Sequence, residues 1–315
     1  MKVNNSIPIR IFHKYANSRR LFSNWLLATA HYVIIRLVLS RFSSNIMRRS
    51  YIKVRCRSGG EIYINSLLYT YLIWYFSFGF LRNVECDGEN NALIINDLRV
   101  KLLFHDDHVD LGSAKFRHYY VQIFETFLMQ DYSVADVKDR VVVDVGGFVG
   151  DSAIYFVLRG ARRVYAVEPH PGAYQEMLEN IKLNNMQDKI IPINAALGSK
   201  PGKIRIPNIN TKATGGAYYG SESNGDIEIP MTTLKQLIND YNIEPDILKM
   251  DCEGCEYDVI LNDYESVRLF RELIFELHEY RGPSRELMNK LINDYRCREV
   301  RIGKDLEIVH CVRLW

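Results

Sequence analysis

The chain has 315 residues, 47% hydrophobic and 25% charged, a balance that excludes a disordered or fibrous polymer and leaves room for one large domain and a smaller one. Its net charge of +2 hides an asymmetry. Residues 1–60 hold twelve Lys and Arg with no acid before Glu61, which leaves 28 basic against 38 acidic residues in the remainder. A basic arm on an acidic body suggests an anionic partner, either a membrane surface or a nucleic acid, unless the arm docks on its own body.

In chain order, the first apolar segment is residues 25–39. It falls short of about 20 clean apolar residues and contains His31 and Arg36, so an interfacial or partner-binding helix fits better than a membrane span. Residues 67–80 are shorter and rich in Tyr and Trp, as a core segment would be. Short strands are expected at Glu61–Asn65 and Ala92–Ile95. The expected division is a basic arm (1–60), a small α+β region (61–135) and a larger domain (136–315). Six cysteines (56, 86, 252, 255, 297, 311) are too sparse for a disulfide scaffold, and no secretory signal precedes them. They read as thiols of a reducing cytoplasm.

From Arg140 the pattern changes. Residues 141–145 are a β-branched run ending in glycines, as a buried parallel strand should be. A helix follows over 151–158, a strand over 163–167, a helix over 171–184 and a strand over 190–194. Residues 210–226 have the Gly, Ser and Asn content of a loop, readable as a substrate lid carrying Tyr218 and Tyr219 or as an idle excursion. Next come a helix over 232–241, capped by Thr232 or Thr233, a strand over 246–251 and a helix from about Glu256. A strand over 273–278, a helix over 284–295 and strands near 298–302 and 306–313 complete the chain. Alternating strands and helices predict a doubly wound α/β sheet whose ligands bind beyond the carboxyl ends of the strands. Asp144, Glu168, Asn194, Asp251 and His278 all fall there.

The first strand runs into Gly146-Gly147-Phe148-Val149-Gly150. A dinucleotide fingerprint places glycines first, third and sixth; here they are first, second and fifth. Asp144 lies just before the loop, where a carboxylate repels a pyrophosphate. It suits a ligand with an ammonium and a sulfonium group and no phosphate, a description that S-adenosylmethionine (SAM) fits. Glu168, ending the second strand, is placed to accept both ribose hydroxyls of an adenosine.

Residues 142–152 (VVDVGGFVGDS), 160–169 (GARRVYAVEP), 180–185 (NIKLNN), 194–198 (NAALG), 246–256 (DILKMDCEGCE) and 275–278 (FELH) together resemble the FkbM family of class I methyltransferases. The resemblance covers about half the chain and leaves residues 1–110 aside. It implies a Rossmann-like seven-stranded sheet with helices on both faces, beside a smaller N-terminal α+β region. It also implies SAM as cofactor and O-methylation of a hydroxyl on a glycan or other small molecule. Pro169, Asn194 and Ala195, within the matching stretches, complete the expected cofactor set.

A hydroxyl is a weak nucleophile at neutral pH, so a positioned base or metal should assist. Asp251, Glu253 and Glu256 crowd one strand end, and His278 ends the next. We expect Asp251 to orient cofactor or nucleophile, Lys249 to hold the acidic cluster, and His278 or Glu253 to take the proton. The blander alternative makes Lys249–Glu256 a structural ion pair. No resident metal is expected; Cys252-x-x-Cys255 lacks a second pair, and residues 105–108 (HDDH) read as a solvated turn. The competing function is an RNA methyltransferase whose basic arm binds phosphates, although the Asn/Asp-Pro-Pro-aromatic motif of many base-directed enzymes is missing. A cytoplasmic enzyme, peripheral to a membrane through residues 1–60, is the expected setting.

Overall fold

The computed structural model describes residues 15–16, 18–37, 50–77, 81, 83–95, 100–105, 108–118, 121–207, 225–278, 282–302 and 306–314. The chain forms two compact units, Met1–Val121 and Gln122–Trp315.

In the first unit, β1 (Tyr51–Arg55) and β2 (Glu61–Asn65) form an antiparallel hairpin. The turn at residue 60 therefore joins two paired strands instead of separating an arm from a domain. Alternation puts Ile52, Val54, Ile62 and Ile64 inside. Helices α1 (Ser18–Leu21) and α2 (Trp25–Leu37) precede the hairpin, and α2 lies against β1. Asn24 ties the two together by donating to the Lys53 carbonyl and accepting from the Arg55 amide. α3 (Ser66–Ser77) buries Leu68, Tyr69, Leu72, Ile73 and Tyr75, the core segment its composition predicts. On α2 the buried side carries Ala28, Tyr32 and Ile35, whereas Leu26, Leu27 and Ile34 are 58%, 75% and 52% exposed. No helix among the described residues is long and apolar enough to cross a membrane. A five-stranded antiparallel sheet completes the unit: β3 (Glu85–Asp87), β4 (Ala92–Ile95), β5 (Val100–Phe104), β6 (Val109–Asp110) and β7 (Lys115–Phe116).

The second unit opens with α4 (Val121–Phe124), extended by a π-helical turn over Glu125–Met129 that stops at Gln130 in the left-handed conformation. Its sheet contains β8 (Val141–Val145), β9 (Arg163–Val167), β10 (Ile190–Ile193), β14 (Ile247–Met250), β15 (Glu272–Glu276), β16 (Tyr295–Ile302) and β17 (Leu306–Arg313). The order across it is β10-β9-β8-β14-β15-β17-β16; the first five strands are parallel, β17 runs against them, and β16, antiparallel to β17, runs with the first five. This is the seven-stranded Rossmann-like sheet that the resemblance implies. The linking helices are α5 (Asp151–Leu158), α6 (Pro171–Leu183), α7 (Leu234–Tyr241), α8 (Cys255–Asn262), α9 (Tyr264–Val267) and α10 (Ser284–Leu291). Thr233 is the cap of α7, in a reciprocal capping box with Gln236. Every residue of β8 and β14 is buried, as central parallel strands require.

Two departures have local causes. β16 begins at Tyr295, inside the stretch expected to be helical, because Tyr295 pairs with Arg313 and its buried hydroxyl donates to the Val267 and Phe270 carbonyls. Between β10 and β14 stands a small sheet of β11 (Ala196–Leu197), β12 (Gly202–Ile206) and β13 (Ile227–Thr232), ordered β11-β13-β12. Residues 208–224, with Tyr218 and Tyr219, lie outside the described residues.

The cysteines correct an expectation. All six pair, as Cys56–Cys86, Cys252–Cys255 and Cys297–Cys311. Spacing along the chain hid Cys297–Cys311, which the pairing of β16 with β17 sets face to face, and Cys56–Cys86, whose residues are 30 positions apart. Cysteine usage thus no longer points to a reducing compartment.

Candidate functional site

The strand order reverses between β8 and β14, and parallel sheets form their ligand crevice at such a switch point. The glycine loop leaves β8 on one side of it and Asp251 leaves β14 on the other. The Asp251 amide donates to the Val145 carbonyl at 3.0 Å. Gly146, at φ +76°, lies so close that a Cβ there would stand 1.8 Å from the Asp251 carbonyl oxygen. The glycine is thus demanded by contact between loop and strand end as well as by its left-handed backbone. Gly150, at φ +86°, packs on Met177, and Phe148 adopts φ +42°, a costly conformation for a bulky residue.

Glu168, 4% exposed, ends β9 beside this loop. Its two oxygens accept the Phe148 and His170 amides at 2.9 and 2.8 Å. Burial pushes its carboxyl up to about 7, even though both amides favour the charged form. Asn194 donates to the Glu168 and Pro169 carbonyls at 2.8 and 3.1 Å, and Ala195 is buried beside it. Asn194 and Pro169 therefore set the backbone that carries Glu168. The narrow glycine cradle and the acid at the next strand end fit an adenosine-bearing cofactor.

Asp144 is placed differently from the open carboxylate expected. It is fully buried and forms an ion pair with Lys249 at 2.9 Å, side chains 0% and 1% exposed, while Ser152 donates to its other oxygen. The Lys249 ammonium also donates to the Gly146 carbonyl at 3.1 Å and lies over the Tyr132 ring. Burial opposes its charge, but Asp144 and Asp251 more than compensate and raise its pKa. Lys249 thus pairs with Asp144 rather than Glu256, and fastens β14 to the glycine loop from beneath.

Above it lies the acidic cluster. Asp251 accepts a 2.7 Å hydrogen bond from the Tyr132 hydroxyl. Burial disfavours its ionisation, yet Lys249 and Tyr132 hold its pKa below the ordinary value. Fully buried Glu256 accepts the Gly254 amide and lies 2.8 Å from His278 Nδ1. Against burial, Glu256, Asp251 and Glu253 raise the pKa of His278, so it binds a proton more tightly than an ordinary histidine. Its Nε2 is 3.6 Å from both Glu253 and Glu276. Glu276 is pushed up to about 10 by burial and by the Asp251 charge. The crevice therefore gathers Asp251, Glu253 and His278 as expected, and adds Glu276 and Tyr132. Glu276 was signalled by its place two residues before His278, on the same strand face. Tyr132, 119 residues from Asp251, gave no local signal.

Several known proteins are similar to this chain. Residues 144–297 match the methyltransferase FkbM domain. The chain is 26% identical over 161 residues to an uncharacterised protein, 158B, of Sulfolobus islandicus rod-shaped virus 1, covering 51% of this chain and 74% of that one. It is 25% identical over 158 residues to the hexuronic acid methyltransferase AglP of Haloferax volcanii, covering 50% of this chain and 63% of that protein. Among solved structures, the fibrillarin/Nop5p complex is similar with a TM-score of 0.42 and 13% identity, over 71% of this chain and 98% of that one. An O-methyltransferase from Bacillus cereus with bound S-adenosylhomocysteine has a TM-score of 0.36 and 14% identity, over 55% and 74%. Likenesses this loose say nothing of mechanism. The family match falls on the strands, the glycine loop and the acidic cluster described above, and residues 144–297 of the chain are a methyltransferase FkbM domain.

Proposed function

We propose that the protein is a SAM-dependent O-methyltransferase acting on a hydroxyl of a glycan or another small molecule. One observation carries this reading: the acidic cluster is built directly onto the cofactor loop, with Asp251 touching Gly146. When bound, SAM supplies an electrophilic methyl group on a sulfonium, so the chain's own task is alignment and removal of a proton. Glu168 would hold the ribose hydroxyls and the 146–150 loop the amino-acid end, while Asp251 orients the acceptor oxygen. His278 already tends to hold a proton and so is a poor acceptor. Glu253, 30% exposed and 3.6 Å from His278 Nε2, is the carboxylate that can take the acceptor's proton and pass it to water. A sugar acceptor is favoured by the similarity to the hexuronic acid methyltransferase of Haloferax.

The test is methyl transfer from labelled SAM to a panel of glycans, lipids and RNA. Turnover on a hydroxyl acceptor, lost in Asp251→Asn with S-adenosylhomocysteine binding intact, supports the proposal. Full turnover in both Asp251→Asn and His278→Ala would sink the site assignment.

We further propose that the N-terminal unit meets an anionic membrane surface. The exposed Leu26, Leu27 and Ile34 share one side of α2, within a segment of twelve cations and no acid. Co-sedimentation with phosphatidylserine vesicles should fall at least fivefold in Leu26→Glu/Leu27→Glu. Salt-sensitive RNA binding that this variant leaves untouched would favour the RNA reading instead.

A further inference from the structure

We propose that Asp251, Glu276 and His278 bind one hard divalent cation of the Mg2+ or Mn2+ class, with coordination positions left open for an acceptor oxygen. This inference rests on the O-methyltransferase reading for its purpose, but not for its geometry.

The pleat and register bring the three side chains together. β14 and β15 pair in parallel up to Met250 opposite Phe275, so Asp251 and Glu276 follow one step further on. His278 is two residues beyond Glu276, on the same face. One ligand atom from each residue lies within 4.8 Å of the others.

The histidine is presented as a metal-binding histidine is. Its Nδ1 is engaged at 2.8 Å by Glu256, a fully buried carboxylate whose second oxygen is fixed by the Gly254 amide. A carboxylate behind the imidazole sets ring orientation and directs the other nitrogen at the ion. That nitrogen, Nε2, lies 3.6 Å from Glu276 Oε1 and 3.6 Å from Glu253 Oε2. These separations exceed the hydrogen-bonding range. They suit donors that share an ion, because two bonds of about 2.1 Å at 90–120° hold their ligand atoms roughly 3.0–3.6 Å apart. Tyr132 fixes the Asp251 carboxylate through Oδ2 at 2.7 Å.

Two other groups of residues stand within ligand distance of one another among the described residues. Cys252 and Cys255, near Glu256, are joined in a disulfide, so their sulfurs are not thiolate ligands. His105, His108 and Asp110 stand where β5 turns into β6, and their two imidazoles stack on each other. The 251/276/278 set reaches solvent through Glu276, 23% exposed, beside Glu253 at 30%, so water or substrate can complete the shell. Two carboxylates and one imidazole, without sulfur, select a hard or borderline ion.

An acceptor hydroxyl bound to this cation would be acidified as metal-bound water is. Its proton passes to the Glu253 carboxylate, the new O–C bond forms as the S–C bond breaks, and the sulfonium leaves as a thioether. Chelation would favour acceptors with a second oxygen beside the reacting hydroxyl, such as a vicinal diol or a hydroxy acid.

The test is a Mn2+ titration of the EDTA-treated full chain, followed by electron paramagnetic resonance. One Mn2+ per chain is expected, bound at least tenfold more weakly by Glu276→Gln and His278→Ala, and unaltered in His105→Ala/His108→Ala. In case a variant fails to fold, the spin-echo spectrum of Mn2+ on the wild-type chain should show coupling to a single imidazole nitrogen that changes on 15N-histidine labelling. Absence of stoichiometric binding, absence of that coupling, or loss of binding in the 105/108 variant would overturn the proposal. Methyl transfer that survives EDTA retires the cation's role and leaves the O-methyltransferase reading standing. Mn2+ binding at 251/276/278 without methyl transfer to any acceptor does the reverse.

Discussion

Replacing Lys249 by Met keeps an unbranched apolar stem, one atom shorter, and removes the ammonium with its charge and its hydrogen bonds. Asp144 would then remain fully buried with one hydroxyl donor, Ser152, and no cation. Breaking a buried pair by removing one partner costs about 3–5 kcal/mol. The Ser152 hydrogen bond puts Lys249→Met near the lower end, at about 3 kcal/mol. For a unit the size of Gln122–Trp315, that corresponds to a fall of roughly 6–12 °C in Tm. Lys249 also donates to the Gly146 carbonyl, so the glycine loop loses an anchor and S-adenosylhomocysteine should bind about tenfold more weakly. Asp144→Asn should be milder, about 1 kcal/mol, because Lys249 keeps the Val145 and Gly146 carbonyls and the nearby Asp251 charge. The double variant removes both charges and should be at least about 1 kcal/mol more stable than Lys249→Met alone. Urea unfolding measures this, read on the transition that moves when S-adenosylhomocysteine is added. A Lys249→Met cost under about 1 kcal/mol, or a double variant no better than that single, would refute the buried-pair account.

Three further outcomes follow from the same structure. Because burial raises Glu168 to about 7 from an ordinary 4.5, its contribution to the stability of the free protein is full below about pH 4.5 and lost once pH has risen through 7. Cofactor affinity runs the other way, since only the ionised carboxylate accepts both ribose hydroxyls; calorimetry should show S-adenosylhomocysteine binding tightening from pH 6 to 8. Glu168→Gln should flatten that profile and weaken binding about 10–100-fold at pH 8, and a profile that persists in the variant would refute the assignment. At the opposite, amino ends of the central strands, Arg140 clamps Asp246 at 2.7 Å and also bonds Glu272. Arg140→Met should therefore cost about 2–3 kcal/mol in urea unfolding while leaving S-adenosylhomocysteine affinity within twofold; a large loss of affinity would contradict this placement. The Cys297–Cys311 bridge joins directly opposed residues of β16 and β17, and a loop of that length contributes about 3 kcal/mol. Cys297→Ser/Cys311→Ser should be destabilised by about 2–3 kcal/mol in oxidising buffer, and a reductant should bring the wild type down to it; a wild type indifferent to reductant would exclude the bridge.

What could be read from the sequence was whatever one segment decides by itself. Val141–Val145 is buried on both faces and announces a central strand, and Thr233 with Gln236 announces a helix start. The left-handed positions at 146 and 150 demand glycine wherever the loop ends up. Strand ends were legible for the same reason, which is why Glu168, Asp251 and His278 could be set in one crevice beforehand. Partnerships between segments were not legible. Asp144 looks the same in sequence whether it faces a ligand or a lysine, and its choice of Lys249 is made by the parallel register that sets those two residues side by side. That register turns an expected ligand carboxylate into a buried support for the loop. Tyr132 enters in the same way: the chain after α4 turns through Gln130 in the left-handed conformation and brings the ring over Lys249 and the hydroxyl onto Asp251. A single aromatic residue thus joins the support beneath the glycine loop to the acids above it. Tyr132→Phe therefore separates the two layers, removing the hydroxyl from Asp251 while keeping the ring over Lys249.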